Sequence, residues 1–340
     1  VARALILAGT GAVGRAVALR LLDAGWHVEV TGRDPLHANT EVTRRGGVFL
    51  ASDRHDPAQL SAVVGDGADL LVDCACFNAE HARQLASVLG GVTSPVMLSS
   101  KAVYVDDRGR HVNSAEPPRF DSPIPESQPT MAPGAGNYDL PEGYGANKVA
   151  AEQVLLGSGY PVSVLRPSKI HGVDARRPRE WYFVRRVLDG RARVFFDGDA
   201  RAGDHPTAAT NLAALIEVVA ANPGRRILNI ADPDSPGERE IARAVARHFD
   251  HDWEEVVVEG AGRLGRSPWH VVPPVVLETS AARAIGYEAV GDYSTTVAAT
   301  LDWLASLGAR DGTARLTAPR DDDFFVGMFD YAAEDALVDS

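Results

Sequence analysis

Ala4-Leu5-Ile6-Leu7-Ala8-Gly9-Thr10-Gly11-Ala12-Val13-Gly14 decides the fold of this chain. Residues 4–8 are an unbroken apolar run of the length that a strand buried on both faces requires. Gly9 to Gly14 reads G-x-G-x-x-G, and Arg15 to Leu22 continues with apolar residues at helical spacing. In a strand–turn–helix unit each glycine has a mechanical use. Gly9 permits the sharp turn, Gly11 lets the backbone approach a pyrophosphate, and Gly14 lets the helix pack close on the strand. Free amides and the dipole at the helix start favour the anion. The spacing alone also occurs in plain tight turns. Between a strand and a helix it reads as a dinucleotide site, with Gly9, Thr10, Gly11, Ala12, Val13 and Gly14 against the cofactor.

Outward from this turn, apolar runs alternate with helical patterns. Strands are expected at His27–Thr31, Gly47–Ala51, Asp69–Cys76, Val96–Ser100, Val162–Pro167 and Arg226–Ala231. Helices are expected at His81–Leu89, Tyr144–Leu156 and Asn211–Ala220. This alternation predicts an α/β fold, a Rossmann-type doubly wound parallel sheet covered on both faces. The 340 residues exceed what one ordinary core needs, so a smaller second domain is expected beside the sheet or threaded into it. An amphipathic helix at Glu238–His248, a strand at Trp253–Val258 and a helix at Tyr293–Leu307 supply elements for it.

Hydrophobic residues at 45% and charged residues at 24% suit a soluble globular enzyme. No apolar run approaches the roughly 18 residues that span a bilayer. The chain enters a strand at once, with no basic stretch leading to a cleavage site, so a cytoplasmic location is the expectation. Net charge is −12, and residues 321–340 hold seven acids with no Lys or Arg. Much of the acidity is thus a tail property, and no nucleic-acid platform is indicated. Phe324, Phe325, Val326, Met328 and Phe329 interrupt that tail, and a purely solvating tail would lack them. They suggest docking on the chain's own body or on a second subunit.

The strand ends carry the specificity expected of a dinucleotide site. After the second strand comes Gly32-Arg33-Asp34-Pro35. An acid at this point accepts from the adenine ribose, whereas Arg33 can pair with a 2′-phosphate. NADP is therefore favoured, and Asp34 keeps NAD open. Asp53, ending the third strand, is placed for the adenine amino group or for a helix cap before Pro57. Cys74, Ala75 and Cys76, with Phe77, are expected in or at the end of the fourth strand, as small apolar walls beside the cofactor rather than as nucleophiles or metal ligands. A disulfide between strand neighbours two apart is geometrically poor. Residues 106–143, with seven prolines, form a long irregular segment read as a flap over the substrate pocket or as a disordered insert.

Tyr144 and Lys148 are four apart on one helix and project from one face. A phenol with a pKa of about 10 is a poor base at neutral pH, and a nearby ammonium lowers that value. Such a pair can exchange a proton with a carbonyl or alcohol oxygen while hydride moves at carbon. Ser100, at a strand end, can hold the same oxygen.

These residues resemble the extended short-chain dehydrogenase/reductases of the NAD-dependent epimerase/dehydratase group. The matching stretches are Gly9 to Gly14, Ser99-Ser100-Lys101-Ala102-Val103-Tyr104, Tyr144-Gly145-Ala146-Asn147-Lys148 with Ala151-Glu152, and Leu165-Arg166-Pro167. Asp204-His205 through Asn211-Leu212-Ala213, and Leu228 to Asp232, match more loosely. The resemblance implies a dinucleotide-binding domain at 1–167 rejoined by 204–231. It also implies a smaller C-terminal α/β substrate domain from 168–203 and 232–310, leaving 311–340 as an acidic tail. It makes Tyr144 the acid/base, Lys148 its modifier and a cofactor-ribose ligand, and Ser100 the donor to substrate oxygen. In such proteins a helix pair that includes the counterpart of the Tyr144 helix often forms a two-fold interface, which makes a homodimer one option and leaves the oligomeric state open.

The departures narrow the chemistry. The usual first glycine of the group is Ala8, small enough to keep the turn. Sugar dehydratases of the group carry Asp-Glu where this chain has Lys101 and Ala102, which cannot supply that acid and base. His171 stands where tyrosine is common and reads as a packed side chain or as one that faces substrate. Arg176, Arg177, Arg179, Arg185 and Arg186 suggest a nucleotide diphosphate or a solvated helix face. The primary reading is an NADP-linked, or NAD-linked, oxidoreductase acting on a small molecule, either a nucleotide sugar or a secondary metabolite. The alternatives are an epimerase with a tightly held cofactor and a non-catalytic dinucleotide-binding regulator.

Overall fold

The computed structural model describes residues 1–198, 202–260, 262–309 and 322–338. Residues 310–321, 339 and 340 of the acidic tail lie outside the described residues.

The first strand, β1 (Arg3–Leu7), is buried on both faces, as its unbroken apolar run requires. It runs through the glycine turn into α1 (Ala12–Asp23). The chain then lays down β2 (His27–Gly32), α2 (Thr40–Arg44), β3 (Val48–Ala51) and α3 (Pro57–Val64) on one side. It crosses back to β4 (Ala68–Asp73), α4 (Ala79–Ala86), β5 (Val92–Leu98), α5 (Pro141–Leu156) and β6 (Ser163–Pro167). The seventh strand, β10 (Arg226–Ile230), comes from much later in the chain, and the resulting sheet has the order β10-β6-β5-β4-β1-β2-β3. Every pairing in it is parallel. The strand order reverses between β1 and β4, and in such sheets ligands bind at that crevice, beyond the strand C-termini.

Between β6 and that last strand lie β7 (Lys169–His171), α6 (Trp181–Leu188), β8 (Arg193–Asp197), β9 (Pro206–Ala208) and α7 (Ala209–Ala221). The chain thus leaves the sheet after β6 and returns through α7. α1 and α7 pack together on one sheet face, burying Val17, Leu21, Leu212, Leu215 and Ile216. α3, α4 and α5 cover the other face with Leu60, Val64, Leu85, Ala151 and Leu155.

The remaining elements are α8 (Glu238–His248), β11 (Glu254–Val258), α9 (Ser280–Ala284), α10 (Tyr293–Thr296), α11 (Ala298–Ala309) and α12 (Tyr331–Asp335). The helix expected across Tyr293–Leu307 is thus two. β8 pairs with β11, and α6, α8 and α11 build a second core around Trp181, Phe183, Trp269 and Leu301. Phe325 is buried in that core, with Phe324, Met328 and Phe329 packed against it, so this part of the tail docks on its own chain. No described helix is long and apolar enough to cross a membrane.

Several boundaries differ from the sequence reading. β4 ends at Asp73, so Cys74 and Cys76 follow the strand rather than lie in it. The cause is Asp73, whose carboxylate turns back to accept from the Ala75 amide at 2.9 Å and to pair with buried Arg54. β5 ends at Leu98, two residues before Ser100. The irregular segment expected over 106–143 is held by specific contacts and ends at Leu140, because α5 begins at Pro141, three residues before the expected Tyr144. A bridge between Tyr104 and Thr130 and the fully buried Ile124 pin its middle. The Asp106 carboxylate gathers the amides of Arg108, Arg110 and Arg119 at its start, and those donors with the Arg110 guanidinium hold it well below the usual carboxylate range.

Candidate active site

The glycine turn meets the expected mechanics. A Cβ on Gly14 would stand 2.1 Å from the Gly9 carbonyl oxygen, so only glycine allows α1 to start that close to the turn. Ala8 takes φ +51°, a left-handed conformation that costs a non-glycine residue roughly 1 kcal/mol. The first α-helical hydrogen bond runs from the Arg15 amide to the Gly11 carbonyl, 2.9 Å, leaving the amides of Ala12, Val13 and Gly14 ahead of it. Gly11, Ala12, Val13 and Gly14 border a cavity of about 660 Å³ with Cys74, Phe77, Tyr144 and Lys148. Unpaired amides and small residues facing a cleft fit a dinucleotide pyrophosphate.

A second cavity of about 600 Å³ adjoins the first. Ser100, Lys101, Lys169 and Asp204 line it, and Tyr144, Tyr138, Ser99 and Arg179 border both. Tyr144 therefore stands where the two spaces meet. Its position depends on how closely α5 approaches the end of β5. A Cβ on Gly145 would lie 2.4 Å from the Ala102 carbonyl oxygen, so glycine here brings the helix onto the Ser100 turn.

Polar anchors fix the same helix. Lys148 is 2% exposed, and its ammonium donates to the carbonyls of Cys76 and Leu98, each at 2.8 Å. The ammonium lies 5.8 Å from the Tyr144 ring centroid and 4.6 Å from that of Phe77. One turn on, buried Glu152 accepts from the Ser99 hydroxyl and takes a bidentate pair from Arg166 on β6, at 3.0 and 2.5 Å. Such a fully paired buried ion pair specifies one arrangement of α5 against β5 and β6.

Other expected cofactor residues divide. Cys74 lines the first cavity, while Cys76 is fully buried and contributes its carbonyl to Lys148. Burial, with Asp73 adjacent, pushes both thiols up to about 12, which leaves them neutral apolar walls. Ala75 is buried off the cavity. Gly9, Thr10, Arg33 and Asp53 border neither space. Gly9 instead shapes the turn through its amide bond to the Thr31 carbonyl. Arg33 is exposed at the end of β2 and makes no ion pair among the described residues, while Asp34 caps the following turn through the Leu36 amide. Asp53 accepts from the His55 amide, and the cap of α3 is Asp56.

Of the arginines noted around α6, Arg176, Arg177 and Arg179 reach the cavities, whereas Arg185 pairs with Asp189 and Arg186 is wholly buried with Glu334. His171 is packed, its Nε2 2.9 Å from Asp232. Lys101 is buried against Asp204 in an ion pair. Tyr138 was not legible in the sequence. It stacks on Phe77 with centroids 5.4 Å apart and brings the 106–143 segment over both cavities. No group of three or more His, Cys, Asp or Glu side chains among the described residues could hold a metal ion.

No protein-family model matches the sequence, and no curated protein is significantly similar to it. Solved structures do share its fold. UDP-N-acetylglucosamine 4-epimerase from Methanobrevibacter ruminantium, in complex with UDP-N-acetylmuramic acid, matches with a TM-score of 0.69 at 15% identity, covering 90% of this chain and 98% of that one. The Bordetella bronchiseptica enzyme WbmG, in complex with NAD and UDP, matches with a TM-score of 0.67 at 19% identity, covering 90% and 94%. dTDP-glucose 4,6-dehydratase from Bacillus anthracis, in complex with NAD, matches with a TM-score of 0.66 at 15% identity, covering 90% and 97%. The chain has the fold of the extended short-chain dehydrogenase/reductases over nearly its whole length.

Proposed function

We propose that this chain is an NAD(P)-dependent oxidoreductase of the extended short-chain dehydrogenase/reductase type, acting on a carbonyl or alcohol of a small molecule. The observation that carries this reading is Tyr144 at the junction of two adjoining cavities, one along the glycine turn and one walled by Ser100. The amides of Ala12, Val13 and Gly14, Cys74 at the cavity wall and the third N–H of Lys148 would hold the dinucleotide. When bound, it supplies or accepts hydride at carbon.

The protein's own residues handle the oxygen. Tyr144 donates a proton to a carbonyl oxygen on reduction, or removes one from an alcohol on oxidation. Lys148 sets positive charge beside that phenol and is kept from swinging away by its two carbonyl acceptors. The Ser100 hydroxyl, half-buried on the substrate side, donates to the same oxygen and fixes its direction. Tyr138, which borders both cavities, stacks on Phe77 at the wall of the dinucleotide cavity.

We assign a preference for NADP to Arg33, an exposed cation just past β2 with no ion pair among the described residues, where the adenine ribose of such a cofactor would end. The second reading is an epimerase that oxidises and re-reduces its substrate on one retained cofactor. Its support is the fold shared with the 4-epimerase above. Lys101 and Ala102 stand against 4,6-dehydration. Titration of the purified protein with NADPH and NADH, followed by nicotinamide fluorescence, tests cofactor binding. Screening carbonyl substrates for absorbance loss at the nicotinamide band then tests turnover. Conversion with no added cofactor and no net absorbance change would select the epimerase. Failure to bind either dinucleotide would end both readings.

A further inference from the structure

Of three cations at the substrate end of the cleft, two share one carboxylate within ion-pair distance and the third has none there among the described residues. Lys101 pairs with Asp204, and the other oxygen of the same carboxylate lies 3.1 Å from the Lys169 ammonium. Arg179 stands beside them. Its guanidinium and the Lys169 ammonium lie 5.8 and 5.9 Å from the centroid of the fully buried Trp269 ring. Asp204 is thus shared by two ammoniums, while the Arg179 guanidinium makes no hydrogen bond or ion pair among the described residues. Burial, with Arg177 near and Glu180 opposing, pulls Arg179 down to about 10. Burial and the Lys169 and Arg179 charges likewise pull Lys101 well below an ordinary lysine.

A half-buried cation is costly to keep without an opposite charge. Here the unpaired one borders both cavities, at the place where a substrate held by Tyr144 and Ser100 would lie. A neutral ring in that space would leave the guanidinium unpaired, whereas an oxyanion would meet its planar fork.

We propose that the substrate carries a compact oxyanion, a carboxylate or a phosphoryl group, on the fragment that reacts, and that Arg179, Lys169 and Lys101 receive it. Lys101 directly follows Ser100, so the charge belongs near the reacting carbon rather than on a distant diphosphate. The assignment rests on reading this cleft as the substrate site. It refines the substrate class from any small carbonyl or alcohol to one with an acid group close to the reacting oxygen.

The full chain is titrated with malonate, with inorganic phosphate and with neutral malonamide at constant ionic strength, followed by thermal midpoint and by tryptophan fluorescence. At least one anion should raise the midpoint saturably, and malonamide should not. Malonate acting more tightly selects a carboxylate substrate, and phosphate acting more tightly selects a phosphoryl one. Arg179→Gln should weaken the better anion by about ten-fold or more, and Arg179→Lys should retain an intermediate response. No saturable response to either anion, or an undiminished response in folded Arg179→Gln, overturns the proposal. NADPH titration of the same wild-type sample separates the two failures. Loss of dinucleotide binding removes the oxidoreductase reading, whereas loss of the anion response alone removes only the acid group.

Discussion

Arg186 and Glu334, 148 positions apart, form an ion pair that solvent does not reach. The guanidinium also donates to the carbonyls of Tyr182 and Met328 and lies 3.7 Å from the Tyr182 ring centroid. Removing one partner of such a pair strands the other charge in the interior. Glu334→Ala should therefore lower the unfolding free energy by about 3 kcal/mol, read from urea denaturation. A loss near zero would mean that the C-terminal segment rests on the second core without holding it.

Tyr144→Phe removes the only phenol proposed to touch the reacting oxygen. Turnover should fall by about 10²-fold or more, with dinucleotide affinity within about two-fold of wild type. Lys148→Met should lose turnover and also soften the fold, because the Cys76 and Leu98 carbonyls lose their donor. Steady-state rates beside nicotinamide fluorescence separate the two effects. Retained activity in Tyr144→Phe would refute the assignment.

Arg33→Asp replaces an exposed cation with an acid just past the end of β2. A charge-assisted bond to a 2′-phosphate contributes about 1.5–3 kcal/mol. The ratio of NADPH to NADH affinity should accordingly fall at least about ten-fold. An unchanged ratio would leave Arg33 a solvated surface residue.

His81 offers a pH signature. Burial, together with His55 stacked at 4.0 Å and the Arg54 charge, pulls it from 6.5 to about 4. Between those values the unfolded chain binds a proton that the folded chain refuses. Stability should thus fall as pH drops from about 6.5 towards 4. Denaturation midpoints across that window should be flatter in His81→Gln, and an identical slope would assign the pH dependence to other groups.

The two cysteines should resist iodoacetamide in the native protein at about pH 8, because thiols raised to about 12 carry almost no thiolate there. After denaturation both should react. Mass spectrometry of the labelled chain reads the difference, and ready labelling of native Cys74 would contradict the apolar-wall assignment.

What the sequence made legible is what local spacing encodes. The glycine turn, the apolar strands and the i, i+4 pair of Tyr144 and Lys148 all follow from residues close in the chain. Strand ends were less legible, because a tertiary contact sets them. β4 stops where Asp73 turns to Arg54, a partner 19 residues earlier that no periodicity announces. Tyr138 was missed for the same reason, since its stack on Phe77 joins an irregular proline-rich segment to a distant loop. Arg186 looked like one more charge on a basic stretch, yet a partner far along the chain makes it a core residue.

The grip on Lys148 bears on how the cleft can close. Its two acceptors belong to the segments just past β4 and at the end of β5, so α5 is stapled to the middle of the sheet. Sliding the helix would tear both links. The phenol is then a stationary landmark, and any closing motion must carry the ligand to it.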